Sequence, residues 1–163
     1  VGLAGRYAEY AGSVIAPDED VLLLADDGTE QEARVRLARI GYDRVVGWMP
    51  PEALVDAPSE VGRSSRLTAH EFAERRASGT RVQVVDVRGP GEYAAGHLDG
   101  AVHVPVAQLR RRIGELRSDL PTVVYCAGGY RSSIGASVLR AAGFSDVSDV
   151  LGGFEAMRQA QPA

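Results

Sequence analysis

The chain predicts an α/β fold: a central parallel sheet of about five strands with helices on both faces, preceded by a truncated βαβ segment. Three observations carry this. The run Val82-Gln83-Val84-Val85-Asp86-Val87 is short, largely apolar and β-branched, as a strand buried on both faces requires. Thr122-Val123-Val124-Tyr125 repeats the pattern. Between and after such runs stand segments with helix start and stop signals, and strands alternating with helices imply a parallel sheet.

The first sixty residues read as a fragment of that plan. Residues 21–27 are a strand and turn, 29–39 a helix stopped by Gly41, and 43–47 the start of another strand. The small, polar stretch 57–65, following Met49-Pro50-Pro51, reads as a linker. It divides the chain into a segment 1–60 and a domain 61–163.

In the domain, Thr68-Ala69-His70-Glu71 matches a capping box opening a helix over 69–78, ended by Gly79. Residues 82–87 form the first core strand and 101–105 a short strand. Residues 106–116 make one or two helical turns bearing Arg110-Arg111-Arg112, read as a solvated face. The strand 122–125 ends at Cys126. A helix over 132–142 follows, with Ile134, Val138, Leu139 and Ala142 on one face, and Gly143 stops it. The strand 147–151, Gly152-Gly153 and a terminal helix close the chain.

Leu37-Ala38-Arg39-Ile40-Gly41-Tyr42 and Leu139-Arg140-Ala141-Ala142-Gly143-Phe144 share a leucine, three residues, a glycine and an aromatic. This suggests an internal duplication. Matching the strand ends sets Ala25 opposite Cys126, one residue out of register with the helix match, so the first copy has no nucleophile.

Composition narrows the function classes. Of 163 residues, 45% are hydrophobic and 25% charged, as in soluble globular proteins. No apolar run approaches the roughly 20 residues of a membrane span, and no secretory leader pattern is visible. The chain starts at Val1 rather than Met, which is read as a start inside a longer protein. All 18 basic residues are Arg. Residues 1–60 hold 5 Arg against 12 acids; residues 61–163 hold 13 against 10. The mild positive excess of the second part suits a small anion, not nucleic acid. One cysteine excludes an internal disulfide and a multi-cysteine zinc site, and a lone thiol fits a reducing cytoplasm. His70, His97 and His103 are scattered and form no metal site: His70 reads as an exposed first-turn residue, His97 as a hydrogen-bonded turn residue, and His103 as pointing away from the core. Tyr42 and Trp48 are read as packing on the second domain or facing a missing neighbour.

The chemistry concentrates in Cys126-Ala127-Gly128-Gly129-Tyr130-Arg131-Ser132-Ser133, a strand end, a glycine loop and a helix start. Parallel α/β folds place their sites at such strand ends. The glycines let several N–H groups converge, the helix start is electropositive, and Arg131 adds a positive charge. Together they favour a thiolate at Cys126 and would hold an anionic persulfide. A structural cysteine at a strand end would not account for that surround.

Asp86-Val87-Arg88, Glu92-Tyr93, Gly96-His97-Leu98-Asp99-Gly100-Ala101 and Pro105, then the Cys126–Arg131 loop, then Leu151-Gly152-Gly153, resemble in order and spacing the rhodanese pattern. The resemblance covers about residues 63–160. It implies catalysis by Cys126 with Arg131 and a binding loop of Ala127, Gly128, Gly129, Tyr130 and Ser132. It also implies supporting roles for Asp86, Arg88 and Glu92, with Arg88 read also as a candidate for the pocket mouth, and no metal or organic cofactor. The reaction implied moves a sulfane sulfur from a persulfide or thiosulfate to a thiol, sulfite or cyanide acceptor. Four residues separate Cys126 from Arg131; related phosphatases and arsenate reductases have one more, so the loop suits one sulfur atom over a tetrahedral oxyanion. Thiosulfate-preferring members tend to carry cations directly after the cysteine, where Ala127 and Gly128 stand here, which points to an organic persulfide donor. The alternatives are a non-catalytic sulfur-relay or docking module, or a phosphatase or arsenate reductase. With Gly5-Arg6-Tyr7-Ala8-Glu9-Tyr10-Ala11-Gly12, the active-site loop also resembles the C-terminal half of fusions that carry a metallo-β-lactamase-fold persulfide dioxygenase in front. The metal ligands of such a dioxygenase are absent from this sequence.

Overall fold

The computed structural model describes residues 1–56, 62 and 64–160, and divides into two compact units, Val1–Arg63 and Ser64–Ala163. In the first unit a two-stranded parallel sheet, β1 (Val21–Leu24) and β2 (Val45–Met49), carries helices α1 (Tyr7–Val14) and α2 (Glu30–Ala38); a short α3 (Ala53–Asp56) follows. Tyr7, Ala11, Val21, Leu23, Ala33, Leu37, Tyr42 and Val45 make one apolar core. The β1 side chains alternate, Val21 and Leu23 inward and Leu22 and Leu24 exposed, the signature of a sheet covered on one face. Tyr42 belongs to this unit's own core, its hydroxyl donating to the Ile15 carbonyl at 2.8 Å, which corrects the expectation that it faces another domain. Helices α1 and α3 carry no strong start signal in the sequence and are additions to the expected elements.

The second unit is a five-stranded, wholly parallel sheet in the order β3-β7-β6-β4-β5. Its strands are β3 (Ser65–Leu67), β4 (Gln83–Asp86), β5 (Val102–His103), β6 (Thr122–Tyr125) and β7 (Val147–Val150). The helices are α4 (Ala69–Ala77), α5 (Pro90–Ala94), α6 (Tyr130–Ala141) and α7 (Gly153–Ala160), with two 3-10 turns at Val106–Gln108 and Ile113–Glu115. Of the expected linker 57–65, residues 57–61 and 63 lie outside the described residues, and Ser65 opens β3, an edge strand too short and polar to stand out in sequence.

Alternate residues of β6 feed two cores. Val123 and Tyr125 pack with Phe72 of α4, Val150 and Met157 of α7. Val124 faces α6, where a Cβ on Gly135 would lie 3.4 Å from Val124, Val87 and Leu109, so a small residue there lets helix and sheet approach. Every β6 and β7 residue is buried, as central parallel strands demand. The capping box of α4 forms: the Glu71 N–H donates to the Thr68 hydroxyl at 3.2 Å, and the Thr68 N–H to the Glu71 carboxylate at 2.7 Å. The buried face of α6 differs from the expected one. Ile134 and Leu139 are buried, but so are Gly135 and Ala136, while Ala142 lies past the last helical turn and is exposed. Among the described residues no helix is long and apolar enough to cross a membrane, and no cluster of three or more His, Cys, Asp or Glu could hold a metal ion.

Candidate active site

Cys126 follows β6 directly and is 1% exposed. The chain then turns through Ala127 and Gly128 to Gly129, whose φ of 94° is a left-handed value natural to glycine, and α6 begins at Tyr130. That turn brings the Gly129 N–H to 3.1 Å from the Cys126 Sγ. The first-turn N–H groups of α6 have no intrahelical acceptor and lie on the same loop. The Cys126 thiol donates to the Ser132 hydroxyl at 3.6 Å. The Ser132 hydroxyl donates to the Gly129 carbonyl at 3.1 Å, with Asp149 Oδ2 at 3.5 Å as a second acceptor.

The outward-facing carbonyls of the loop are taken up by α7. The Phe154 N–H donates to the Cys126 carbonyl at 2.7 Å and the Glu155 N–H to the Ala127 carbonyl at 3.2 Å. These donors are the orphan N–H groups of a helix start, so loop and helix satisfy each other. The fit explains Gly153: a Cβ there would sit 2.3 Å from the Cys126 carbonyl oxygen and 2.5 Å from that of Ala127.

The supporting residues form two ion pairs. Arg88 wraps on Asp86, with its backbone N–H at 2.9 Å from Oδ1 and Nη2 at 2.6 Å from Oδ2, and also donates to the Gly96 carbonyl at 2.7 Å. Its guanidinium lies 4.1 Å from the centroid of the Phe154 ring. Both charges are buried, so Arg88 braces β4 against the 96–98 turn and α7 and does not line a mouth, contrary to that part of the expectation. Glu92 grips Arg131 through two hydrogen bonds of 2.6 and 2.7 Å and accepts from the Gly89 N–H at 2.9 Å. The Arg131 hydrogen bond, chiefly, holds the Glu92 carboxyl down at about 2. Arg131 therefore presents an ion pair to the loop, where the sequence suggested a full positive charge. Partners 39 residues apart leave no spacing by which the pairing could have been read.

Two residues that sequence reasoning missed connect to the sulfur's surroundings through Ser132. Arg66 of β3 and Asp149 of β7 are register partners in the sheet and form a bidentate pair, with Nη2 to Oδ2 at 2.9 Å. The Asp149 side chain is fully buried, while that of Arg66 is 43% exposed. The Asp149 hydrogen bond, chiefly, raises the Arg66 guanidinium's hold on its proton. An Arg66 Nη2 lies 3.8 Å from where a Gly129 Cβ would be. The legible signal was an acid inside a strand bounded by Val147 and Val150, which demands a partner.

The histidines are structural. His97 Nδ1 is 3.0 Å from the Tyr93 carbonyl, in line with a turn role, and His70 is exposed. His103 is half-buried, bonded to the Arg88 carbonyl at 2.9 Å, and Tyr93 stacks between His97 and His103 at 3.8 and 4.2 Å. It faces a partner and not open solvent. Arg110 and Arg111 are exposed and Arg112 pairs with Glu115 at 2.7 Å.

The family whose model matches the chain is the rhodanese-like domain, over residues 68–160. Among curated relatives, the uncharacterized protein YqhL of Bacillus subtilis (strain 168) is 39% identical over 89 residues, 55% of this chain and 68% of that protein. The thiosulfate sulfurtransferase GlpE of Pseudomonas entomophila (strain L48) is 38% identical over 97 residues, 60% of this chain and 87% of that protein. The chain spans only 28% and 31% of two longer relatives from Mycobacterium tuberculosis. A crystal structure of a rhodanese-related protein from Thermoplasma volcanium matches with a TM-score of 0.54 at 27% identity, covering 60% of this chain and 95% of that one.

Proposed function

The chain belongs to the rhodanese-like domain family, and on that premise we propose that it is a sulfurtransferase whose Cys126 carries sulfane sulfur as a persulfide. The carrying observation is the Cys126 sulfur held 3.1 Å from the Gly129 N–H at the mouth of α6, in a loop whose Cys126 and Ala127 carbonyls are turned away to α7. Such a cradle of N–H groups stabilises a negative sulfur. The sulfurtransferase activity named for GlpE, at 38% identity, supports the same reading.

In the first step the Cys126 thiolate attacks the outer sulfur of the donor. A new S–S bond forms and the donor's own S–S bond breaks. The electron pair leaves on a thiolate, or on sulfite when thiosulfate is the donor. In the second step an acceptor thiolate, sulfite or cyanide attacks the terminal sulfur of the persulfide, and the Cys126 thiolate departs. No net oxidation occurs, and the chain's own residues bind and orient the sulfur. A reducing compartment, the cytoplasm, suits the free thiol. A persulfide pool shared with an upstream metal-dependent persulfide dioxygenase domain fits the resemblance of residues 5–12 and 126–133 to such fusions.

The test is mass spectrometry of the protein after incubation with glutathione persulfide and, separately, thiosulfate. One added sulfur atom on Cys126, discharged by cyanide and absent in Cys126→Ser, is expected. The absence of any adduct sinks the carrier role and favours a docking module. Hydrolysis of an aryl phosphate by the wild type, lost in Cys126→Ser, would point to the phosphatase reading.

A further inference from the structure

Beside Cys126 a polar chain runs from Ser132 of the loop to Asp149 and Arg66, two residues outside the loop that the sequence singles out. The Ser132 hydroxyl is 3.6 Å from Sγ and 3.5 Å from Asp149 Oδ2, and Asp149 is gripped by Arg66 from the neighbouring strand. Asp149 has no exposed surface. A buried carboxylate one hydroxyl away from the nucleophile disfavours a second negative charge there, because like charges in a poorly solvated site oppose one another. The other charged groups around the loop are already paired: Arg131 with Glu92 and Arg88 with Asp86. The charge that offsets Asp149 is therefore that of Arg66. The sheet register fixes the pair, since Arg66 and Asp149 are opposed residues of β3 and β7.

We infer that Arg66 is a positioning residue for the sulfur chemistry: it neutralises Asp149, and so permits an anionic sulfur at Cys126 while Asp149 orders the Ser132 hydroxyl. Arg66 acts through Asp149 and need not touch the donor. The inference deepens the proposed sulfur transfer and rests on it for its biological meaning. Its test, however, reads the cysteine directly. The pair also gives the edge strand β3 a task, since it delivers the counter-charge to the centre of the sheet from outside the loop motif.

The experiment is the rate of alkylation of Cys126 by iodoacetamide as a function of pH, in the full chain. Arg66→Ala should slow alkylation at neutral pH about tenfold and move the profile about one unit to higher pH. Arg66→Lys, which keeps the charge but loses the planar fork, should fall between the two. Asp149→Asn, nearly isosteric, removes the opposing charge and should leave the rate equal or higher. The double variant Arg66→Ala/Asp149→Asn should return to within about threefold of Asp149→Asn alone, the non-additivity expected of a coupled pair. A merely structural role for Arg66 would lower the stability of the fold and leave the pH profile of alkylation unmoved. An unchanged profile in Arg66→Ala, or a double variant as slow as the single, overturns the inference. Should Arg66→Ala fail to fold, Asp149→Asn decides alone: a slower rate overturns the inference, and an equal or faster one upholds it. If the wild type transfers no sulfur but these alkylation differences hold, the transfer reading fails and the electrostatic pairing stands.

Discussion

Residues 21–42 and 122–144 run through the same local structure, a parallel strand, a turn, a helix and a glycine stop. The stops superimpose bond for bond. Gly41 and Gly143 have φ of 83° and 91°. The Tyr42 N–H donates to the Leu37 carbonyl and the Phe144 N–H to the Leu139 carbonyl, each at 3.1 Å. Both leucines are fully buried. This is the left-handed helix ending with its hydrophobic contact, used twice. The strand ends differ completely. After β1, residues 26–28 are exposed. After β6, the loop is closed from behind by α7 and flanked by β7 and β3. A strand, a turn and a helix thus supply the frame of a nucleophile loop, while the chemistry depends on what packs against it from distant parts of the chain.

The sharpest way to break this contrast is at the glycines. Gly153→Ala should destabilise the second unit by more than about 3 kcal/mol, because the added Cβ meets the Cys126 and Ala127 carbonyls. Gly28→Ala, also at positive φ but with nothing within 4 Å of the new Cβ, should cost only about 1 kcal/mol, the left-handed backbone cost. Urea unfolding of the two variants measures the gap, and equal effects would deny the loop its special crowding.

Next in size, Leu37→Ala and Leu139→Ala should each cost roughly 3 kcal/mol, as cavity-forming substitutions in separate cores. Leu139→Ala should also lower sulfur transfer, whereas Leu37→Ala should leave it intact. An equal loss of transfer in both would show that the first unit supports the site.

The smallest effect concerns acid. The Glu92 carboxyl is held at about 2, below its ordinary 4.5, so its pairing with Arg131 stabilises the fold fully above pH 4.5. That contribution disappears as pH falls from 4.5 through about 2. Glu92→Gln should therefore show a shallower loss of stability across that acid window, with no added pH dependence near neutrality. Parallel acid titrations of wild type and variant by circular dichroism check it.

The strongly periodic parts of this architecture were legible in the residues. Strand β6, the capping box of α4 and the glycine stops follow from patterns a few residues long, and Asp86-Val87-Arg88 pairs within a span that sequence can suggest. Edge strand β3 was hidden because three residues, mostly exposed, carry no buried periodicity. Arg131 was legible as a cation beside the loop but its pairing was not, since Glu92 reaches it only through folding. Arg66 escaped for the same reason, although Asp149, an acid between Val147 and Val150 in a strand, pointed to some such cation.

The hydrogen bonds from Phe154 and Glu155 to the carbonyls of Cys126 and Ala127 have a temporal consequence. During synthesis the nucleophile is made nearly thirty residues before the helix start that fixes its loop. Until residues 153–155 have left the ribosome and docked, the cysteine sits on an unfinished turn with two unsatisfied carbonyls. The sulfur cradle is thus completed only once the start of α7 is present, and a chain interrupted before Gly153 exposes a thiol without the geometry that would govern its reactivity.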